Sequence, residues 1–401
     1  MLKGTEPYIV VAQQEWVLNL GSNARNLAME FSRTRPVMYV NPAMDIKSIF
    51  KQIKTAHGKQ RLKLAWGIGQ NTVKVTDNLW VHTPSTISYS INWLKNVSLH
   101  HTFNQINATG FFNSLKKAIG QLGWKKEQCI IFNDSQMFTG QFTKKYFQPF
   151  LNFYYIRDNL VEHPYFKFHG SRIEPLTIEY ADAVFTNSSY LADYAKQHHK
   201  ISMDIGQGCE LDMYNAENKY PVPADIAAIP YPRIGYTGFL TGIRLDIGLL
   251  EELAQLKKDW NFVLIGPEES MFQQSKLHHM PNVYFLGSKK PEELPGYIQQ
   301  LDVCLNPQLI NALTLGNYPR KIDEYLAMGK PTVATDTPAM EMFLPHVQLA
   351  VGTTDYYNAI KNALKPQQDG QAAAAIACAK SHTWQACADK IYSIQKQLVN
   401  V

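Results

Sequence analysis

Thirteen short apolar runs recur along this chain with helical patterns between them, and that alternation constrains the fold more than any other feature. In the first half they are "YIVVA", "PVMYV", "LWVHT", "CIIFND", "FYYIRD", "DAVFTN" and "ISMDIG". In the second they are "RIGYTG", "NFVLIG", "NVYFLG", "DVCLNP", "PTVATD" and "VQLAVG". Such runs, without strict apolar–polar alternation, suit strands covered on both faces of a parallel sheet. Segments between them, such as "IGLLEELAQLKKDW", repeat apolar residues every three or four positions, as a helix packed on one side does. The alternation predicts doubly wound α/β architecture. The pattern restarts at Arg233, after the Pro-rich and aperiodic "NKYPVPADIAAIPYP". With 401 residues, enough for two cores, the chain reads as two Rossmann-like domains in tandem, 1–210 and 233–382, with a linker at 211–232. Residues 41–78 and 86–126 pad the first sheet with helices that the periodicity does not place.

Composition narrows the class. Hydrophobic residues are 45% and charged residues 18%, a globular balance, and no apolar run is long enough to span a bilayer. The amino-terminal "YIVVA" is too short for a signal peptide and reads as a first strand. Five cysteines without a C-x-x-C pair point to reduced thiols in a cytoplasmic protein, with neither disulfide nor metal. The His doublets at 100–101, 198–199 and 278–279 lack zinc-helix spacing and read as surface residues. "GIG" at 67–69 and "GQG" at 206–208 are incomplete dinucleotide fingerprints, and neither G-x-S-x-G nor a Walker loop occurs.

The net charge of +5 conceals an asymmetry. Residues 1–205 carry 23 Lys/Arg against 14 Asp/Glu, and residues 206–401 carry 16 against 20. Within 46–126 there are twelve basic residues and one acid, Asp77. Basic charge gathered in one half implies an anionic partner, the alternative being a merely solvated surface. Trp93, Phe103, Phe111, Phe112 and Trp124 lie in the same region; they read as helix-to-sheet core rather than a nucleic-acid platform, and no nucleic-acid partner is expected. An anionic membrane face carrying a lipid-linked acceptor accounts for charge and aromatics together.

Ligands of open α/β sheets sit at the carboxyl ends of strands. The loop after "DVCLNP" leads into "GNYPRKIDEYLAMGKPTVAT", where Pro319 suits a first helical turn and Gly329 a left-handed stop. Ile322, Tyr325 and Leu326 share one face and should pack on the sheet. Free amides at the helix start attract phosphate, Arg320 and Lys321 add positive charge, and Glu324, one turn in, can accept hydrogen bonds from a ribose diol. The alternative is an Arg320–Glu324 surface ion pair.

The same residues resemble the nucleotide-binding signature of GT-B glycosyltransferases, particularly retaining family-four-type enzymes (glycosyl transferases group 1) of bacterial surface polysaccharide synthesis. Pro319, Lys321, Glu324, Tyr325, Leu326, Ala327, Gly329, Lys330 and Pro331 match it, and the runs from Arg233 to Pro307 resemble the donor domain in order. "RIEPLTIEYADAVFTNSSYLADYAKQ" is similar to the end of the acceptor domain, and "SHTWQACADKIYSIQKQL" to a closing helix, 383–401, that crosses back to the first domain. The resemblance implies two Rossmann-like domains facing each other across a cleft, with a hinge near 210–232 closing on substrate. It implies Glu324 on the donor ribose, Lys321 and Arg244 on the diphosphate as catalytic groups, and a backbone approach at Gly238. Gly266, Pro267, Tyr318 and Arg320 complete the implied donor site. The family's first acid falls on Gly316, and the lysine common after the first-loop arginine is missing. On the acceptor side Asp134, Arg157 and Asp158 end strands, and Gly21, Ser22 and Asn23 form a helix-start loop; capping and turn-making are the alternatives.

No Asp-x-Asp occurs, so a metal-independent reaction without cofactor is expected, with a UDP- or GDP-sugar as co-substrate. Arginine, lysine and amide donors would stabilise the departing diphosphate. The acceptor would be a sugar or polyprenyl-linked saccharide, and the enzyme cytoplasmic or peripheral on the inner face of the cell membrane. The rivals are a nucleotide-sugar epimerase of the same fold and a non-catalytic nucleotide-binding scaffold.

Overall fold

Each of the thirteen apolar runs is a strand. In the computed structural model, which describes residues 6–17 and 22–400, the chain divides into two units. The first runs to Gly206 and includes the segment from Trp384; the second is Gln207–Thr383. The first unit contains β1 (Tyr8–Val11), β2 (Val37–Val40), β3 (Met44–Asp45), β4 (Thr72–Thr76), β5 (Leu79–His82), β6 (Ile87–Ser88), β7 (Ile130–Asp134), β8 (Leu151–Ile156), β9 (Ala183–Thr186) and β10 (Ser202–Asp204). Eight of them form one sheet in the order β10-β9-β8-β7-β1-β2-β5-β4, while β3 and β6 pair separately. β1, β2, β7, β8 and β9 are buried along their whole length, as unalternating runs require. β4 is the one antiparallel member, an edge strand whose "TVKVT" is largely exposed. Its Lys74 guards that edge against further pairing.

The second unit contains β11 (Arg233–Thr237), β12 (Asn261–Ile265), β13 (Val283–Gly287), β14 (Val303–Asn306), β15 (Thr332–Thr335) and β16 (Gln348–Ala350). They form an all-parallel sheet in the order β13-β12-β11-β14-β15-β16. In both sheets the order turns back on itself beside the first strand, β1 or β11. Loops at the carboxyl ends splay apart at such a point, which makes room for ligands.

Two segments take places that periodicity alone left open. The expected linker is held by the second unit: Tyr214, Ile226 and Ile229 are buried in its core beside Tyr297 and Leu301. The closing helix Trp384–Val399 belongs to the first unit, where Ala388, Ile391 and Ile394 pack with Leu27, Ala28 and Phe31 of the helix Asn23–Ser32. Gln395 accepts from Tyr8 at 2.8 Å and from Arg35 at 3.1 Å, and Arg35 stacks 4.0 Å from the Tyr392 ring. The helices left unplaced in the first half are Ile46–Gln52, Ala56–Ala65 and Val97–Gln121.

His100 corrects the reading of the doublets as surface residues. It is fully buried on Val97–Gln121, stacked 3.5 Å from His169 of the helix Pro164–Glu179. Neither nitrogen of His100 has a hydrogen-bond partner, whereas His169 donates from Nε2 to the Leu94 carbonyl at 2.6 Å. Burial first, then His169, Arg172 and His101, hold the His100 imidazolium down to about 4. His82, wedged between Thr72 and Ser114, is held down to about 4 mainly by burial. A histidine depressed in the fold stabilises it above its ordinary pKa of 6.5 and loses that contribution as pH falls towards the folded value. Thermal melts should therefore show the first unit weakening between pH 6.5 and about 4, with His100→Phe removing part of the dependence.

Candidate functional site

The helix Arg320–Ala327 follows the turn 311–317 and docks beside the carboxyl end of β11. Its apolar stripe is the expected one, with Ile322, Tyr325 and Leu326 all fully buried. Tyr325 fixes the depth: its hydroxyl accepts from the Thr237 amide at 2.8 Å, at the last residue of β11. Gly329, at φ +65°, ends the helix in the left-handed conformation that a residue without Cβ adopts cheaply.

That anchoring sets the loops and charges of the site. After β11 comes Gly238 at φ +137°, and after β12 comes Gly266 at φ +152°. The two loops run together: Gly238 donates to the Ile265 carbonyl at 2.8 Å, and Leu240 to Pro267 at 2.9 Å. A Cβ on Gly266 would lie 1.9 Å from the Gly238 carbonyl oxygen. A Cβ on Gly238 would stand 3.2 Å from Cε of Lys321, so the lysine stem lies directly against that loop. The Lys321 ammonium sits 4.9 Å from the centre of the Tyr236 ring, where the negative π face attracts it. Arg244 is held to the turn before the helix Arg320–Ala327, with Nη1 3.4 Å from Asn317 Oδ1 and its carbonyl accepting from Leu309.

Glu324 is enclosed rather than set out in solvent. Burial pushes its carboxyl up, while Arg320, Lys321 and a hydrogen bond from Tyr214 pull it down. The Arg320–Glu324 attraction exists, but it sits inside this cluster, where Arg320 Nε is buried without a hydrogen-bond partner. Tyr318 is buried with its hydroxyl committed to Asp323 at 2.7 Å. Position 316 offers no carboxyl; Gly316 is buried in a turn organised by Asn311 and Thr314.

Sequence reasoning gave Asp323 no role, yet it is fully buried and organises the helix. One oxygen meets His382 Nδ1 at 2.6 Å; the other accepts from Tyr318 and from Cys209 Sγ at 3.3 Å. Cys209 also donates its amide to the His382 carbonyl at 2.9 Å, so Asp323 ties the signature helix to both ends of the second unit. Burial and the neighbouring carboxylate push the Cys209 thiol up, which leaves it a structural group rather than a nucleophile. Tyr214 and Asn317 were missed as well: Tyr214 stands outside any motif, and Asn317, although inside the quoted signature stretch, was given no role.

In the first unit the acceptor-side residues gather at the carboxyl ends of β7 and β8. Arg157 Nε donates to the fully buried Asp134 at 2.9 Å and Nη1 to Asp158 at 3.3 Å. Burial pushes the Asp134 carboxyl up against the opposing pull of Arg157. Asn23 begins a helix and donates to the Tyr155 hydroxyl at 3.3 Å; Ser22, just before it, is buried. Gly21 lies outside the described residues. Removing one partner of a buried pair strands the other, at about 3–5 kcal/mol. Arg157→Met is therefore expected to destabilise the first unit by about that amount in neutral denaturant titrations, with a smaller loss in acid once Asp134 is protonated. Among the described residues no group of three His, Cys, Asp or Glu is placed to hold a metal ion, and no helix is long and apolar enough to cross a membrane.

The comparisons with known proteins fall on this frame. Residues 232–366 match the family model of glycosyl transferases group 1, which covers the whole sheet of the second unit. A Bacillus subtilis protein that carries the name teichuronic acid biosynthesis glycosyltransferase TuaH is 29% identical over 180 residues, 42% of this chain. The match spans 44% of that relative's length. The fold extends further: Anabaena HepE, solved in complex with UDP, aligns at TM-score 0.64 and 17% identity over 98% of this chain and 100% of its own. Sucrose-phosphate synthase from Thermosynechococcus elongatus aligns at TM-score 0.63 and 15% identity over 98% and 99%. The chain thus has the GT-B fold, and residues 232–366 of its second unit match the glycosyl transferases group 1 model.

Proposed function

We propose that this chain is a glycosyltransferase that moves a sugar from a nucleoside-diphosphate donor, UDP- or GDP-linked, to a saccharide or lipid-linked acceptor. One observation carries the reading: Gly238, Lys321 and the enclosed Glu324 come together at the carboxyl end of β11 within the matched domain. The bare backbone of the two glycine loops admits a diphosphate, Lys321 and Arg244 supply positive charge, and Glu324 suits a ribose diol. UDP is favoured because HepE, of the same fold, has been solved with UDP and with UDP-glucose. The bond from anomeric carbon to phosphate breaks as that from anomeric carbon to acceptor oxygen forms. In the retaining course we propose, the acceptor proton passes to the leaving phosphate oxygen, with neither metal nor protein base. The Bacillus subtilis relative's name supports a role in surface polysaccharide synthesis. The basic first half supports attachment to the inner face of the membrane, where lipid-linked acceptors reside.

A thermal-shift panel of UDP, GDP, ADP and CMP tests the donor site, since a ligand preferring the folded state raises the midpoint. UDP is expected to give the largest rise, and flat melts for all four would remove the reading. Incubation with a UDP-sugar should release UDP only when acceptor is added; conversion of the sugar nucleotide without acceptor would identify an epimerase instead.

A further inference from the structure

The helix Ile46–Gln52 has no buried residue. Ile46, Phe50 and Ile53, spaced as one stripe, are 37%, 78% and 40% exposed. The adjoining helix Ala56–Ala65 runs into Trp66 and Ile68, exposed at 64% and 57%. Lys47, Lys51, Lys54, Lys59 and Lys63 are exposed among them, and Ile46–Thr76 contains no acidic residue.

These apolar groups do not belong to a frayed segment. Asp45 caps the first helix through the Ser48 amide at 3.0 Å, and Ser90 donates to the same carboxylate at 2.6 Å. Arg61 reaches the Pro42 carbonyl at 2.9 Å and Glu15 at 2.7 Å. The two helices touch so closely that a Cβ on Gly58 would lie 2.1 Å from the Gln52 carbonyl oxygen. A stripe held this firmly in water calls for an apolar cover, and the surrounding charge calls for an anionic one. A bilayer surface with anionic headgroups offers both. Nucleic acid fits less well, because Ile46, Ile53 and Ile68 have no ring to stack on a base.

We infer that the helix pair Ile46–Ala65, with Trp66 and Ile68, is an interfacial anchor. Phe50 and its neighbours enter the headgroup–acyl boundary while the lysines contact anionic lipid. The inference rests on the membrane reading above and deepens it from surface attraction to insertion. It also moves the contact: Phe111 and Phe112, among the aromatics of the basic region, are core residues and face no lipid.

Flotation with phosphatidylcholine vesicles, with and without phosphatidylglycerol, tests it using the full chain and no substrate. The wild type is expected to bind only the anionic vesicles and to stay partly bound in about 0.5 M salt, which screens charge but not apolar burial. Phe50→Ser/Ile53→Ser should lower the partition at least about tenfold with a little-changed melting curve, because neither residue belongs to the core of the first unit. Binding by that variant equal to the wild type, or complete release of the wild type by salt, overturns insertion while leaving electrostatic attachment standing. Absence of vesicle binding overturns both. Binding to a single-stranded oligonucleotide in place of vesicles, or dimerisation lost in the double variant, assigns the surface to another partner and overturns the inference. None of these outcomes bears on the nucleotide panel, so the transferase reading stands or falls separately.

Discussion

Gly266→Ala is expected to lower the melting temperature of the second unit by roughly 6–12 °C, the equivalent of about 3 kcal/mol in a unit of this size. Two costs combine. The residue sits at φ +152°, a conformation that side-chain-bearing residues rarely adopt, and the new methyl would overlap the Gly238 carbonyl at 1.9 Å. Neither loop can retreat freely: the Gly238 amide is bonded to Ile265, and Leu240 to Pro267. Gly287→Ala is the control. It also sits at positive φ, +70°, but its added Cβ would meet nothing within 4 Å, so only the backbone cost of about 1 kcal/mol remains. Scanning calorimetry of both variants separates the effects. Equal shifts would mean that the close approach of the two loops carries no energetic weight. The UDP-induced rise in midpoint should also vanish in Gly266→Ala, since the overlap is relieved only by moving the loop that would receive the diphosphate.

The second large effect is on activity. Glu324→Ala is expected to reduce kcat/KM for the donor by about 100-fold, the scale of losing hydrogen bonds to a charged group in an enclosed site. Stability should move little. Burial raises the Glu324 carboxyl, so its ionised form does not favour folding as pH rises past the ordinary carboxylate range. Removing it therefore costs least above the ordinary carboxylate range, where the ionised form would otherwise have to be buried. A purely structural Glu324, needed only to balance Arg320, gives the opposite pattern: alanine leaves a buried guanidinium unpaired, and melting temperature and activity fall together. Glu324→Gln, which keeps an acceptor for Tyr214, sharpens the comparison. Unchanged turnover in Glu324→Ala removes this residue from the site.

The signature helix shows how far local sequence reaches. Ile322, Tyr325 and Leu326 were legible because helical spacing depends on neighbours within two turns. Gly329 was legible because left-handed backbone selects glycine. The thirteen strands were legible for the same reason, each being a local apolar run, although β5, β10, β13 and β16 are only partly buried. Asp323 was not legible. It stands among five charges in the same stretch, and its burial depends on His382 and Cys209, 59 and 114 residues away in the chain. His100 failed similarly, since nothing near it in sequence announces the His169 ring stacked upon it.

The clearest division lies between two stripes of similar spacing. Apolar residues recur at helical intervals in 320–327 and in 46–53, but only the first was placed as a helix from the sequence; the second lies in the stretch 41–78, whose helices periodicity did not place. Whether a stripe is covered is set by what the rest of the fold brings against it. Tyr325 meets the end of β11, whereas Phe50 stays 78% exposed. Periodicity is a short-range property of the backbone, while burial is a relation between distant segments, and only tertiary structure supplies the second partner.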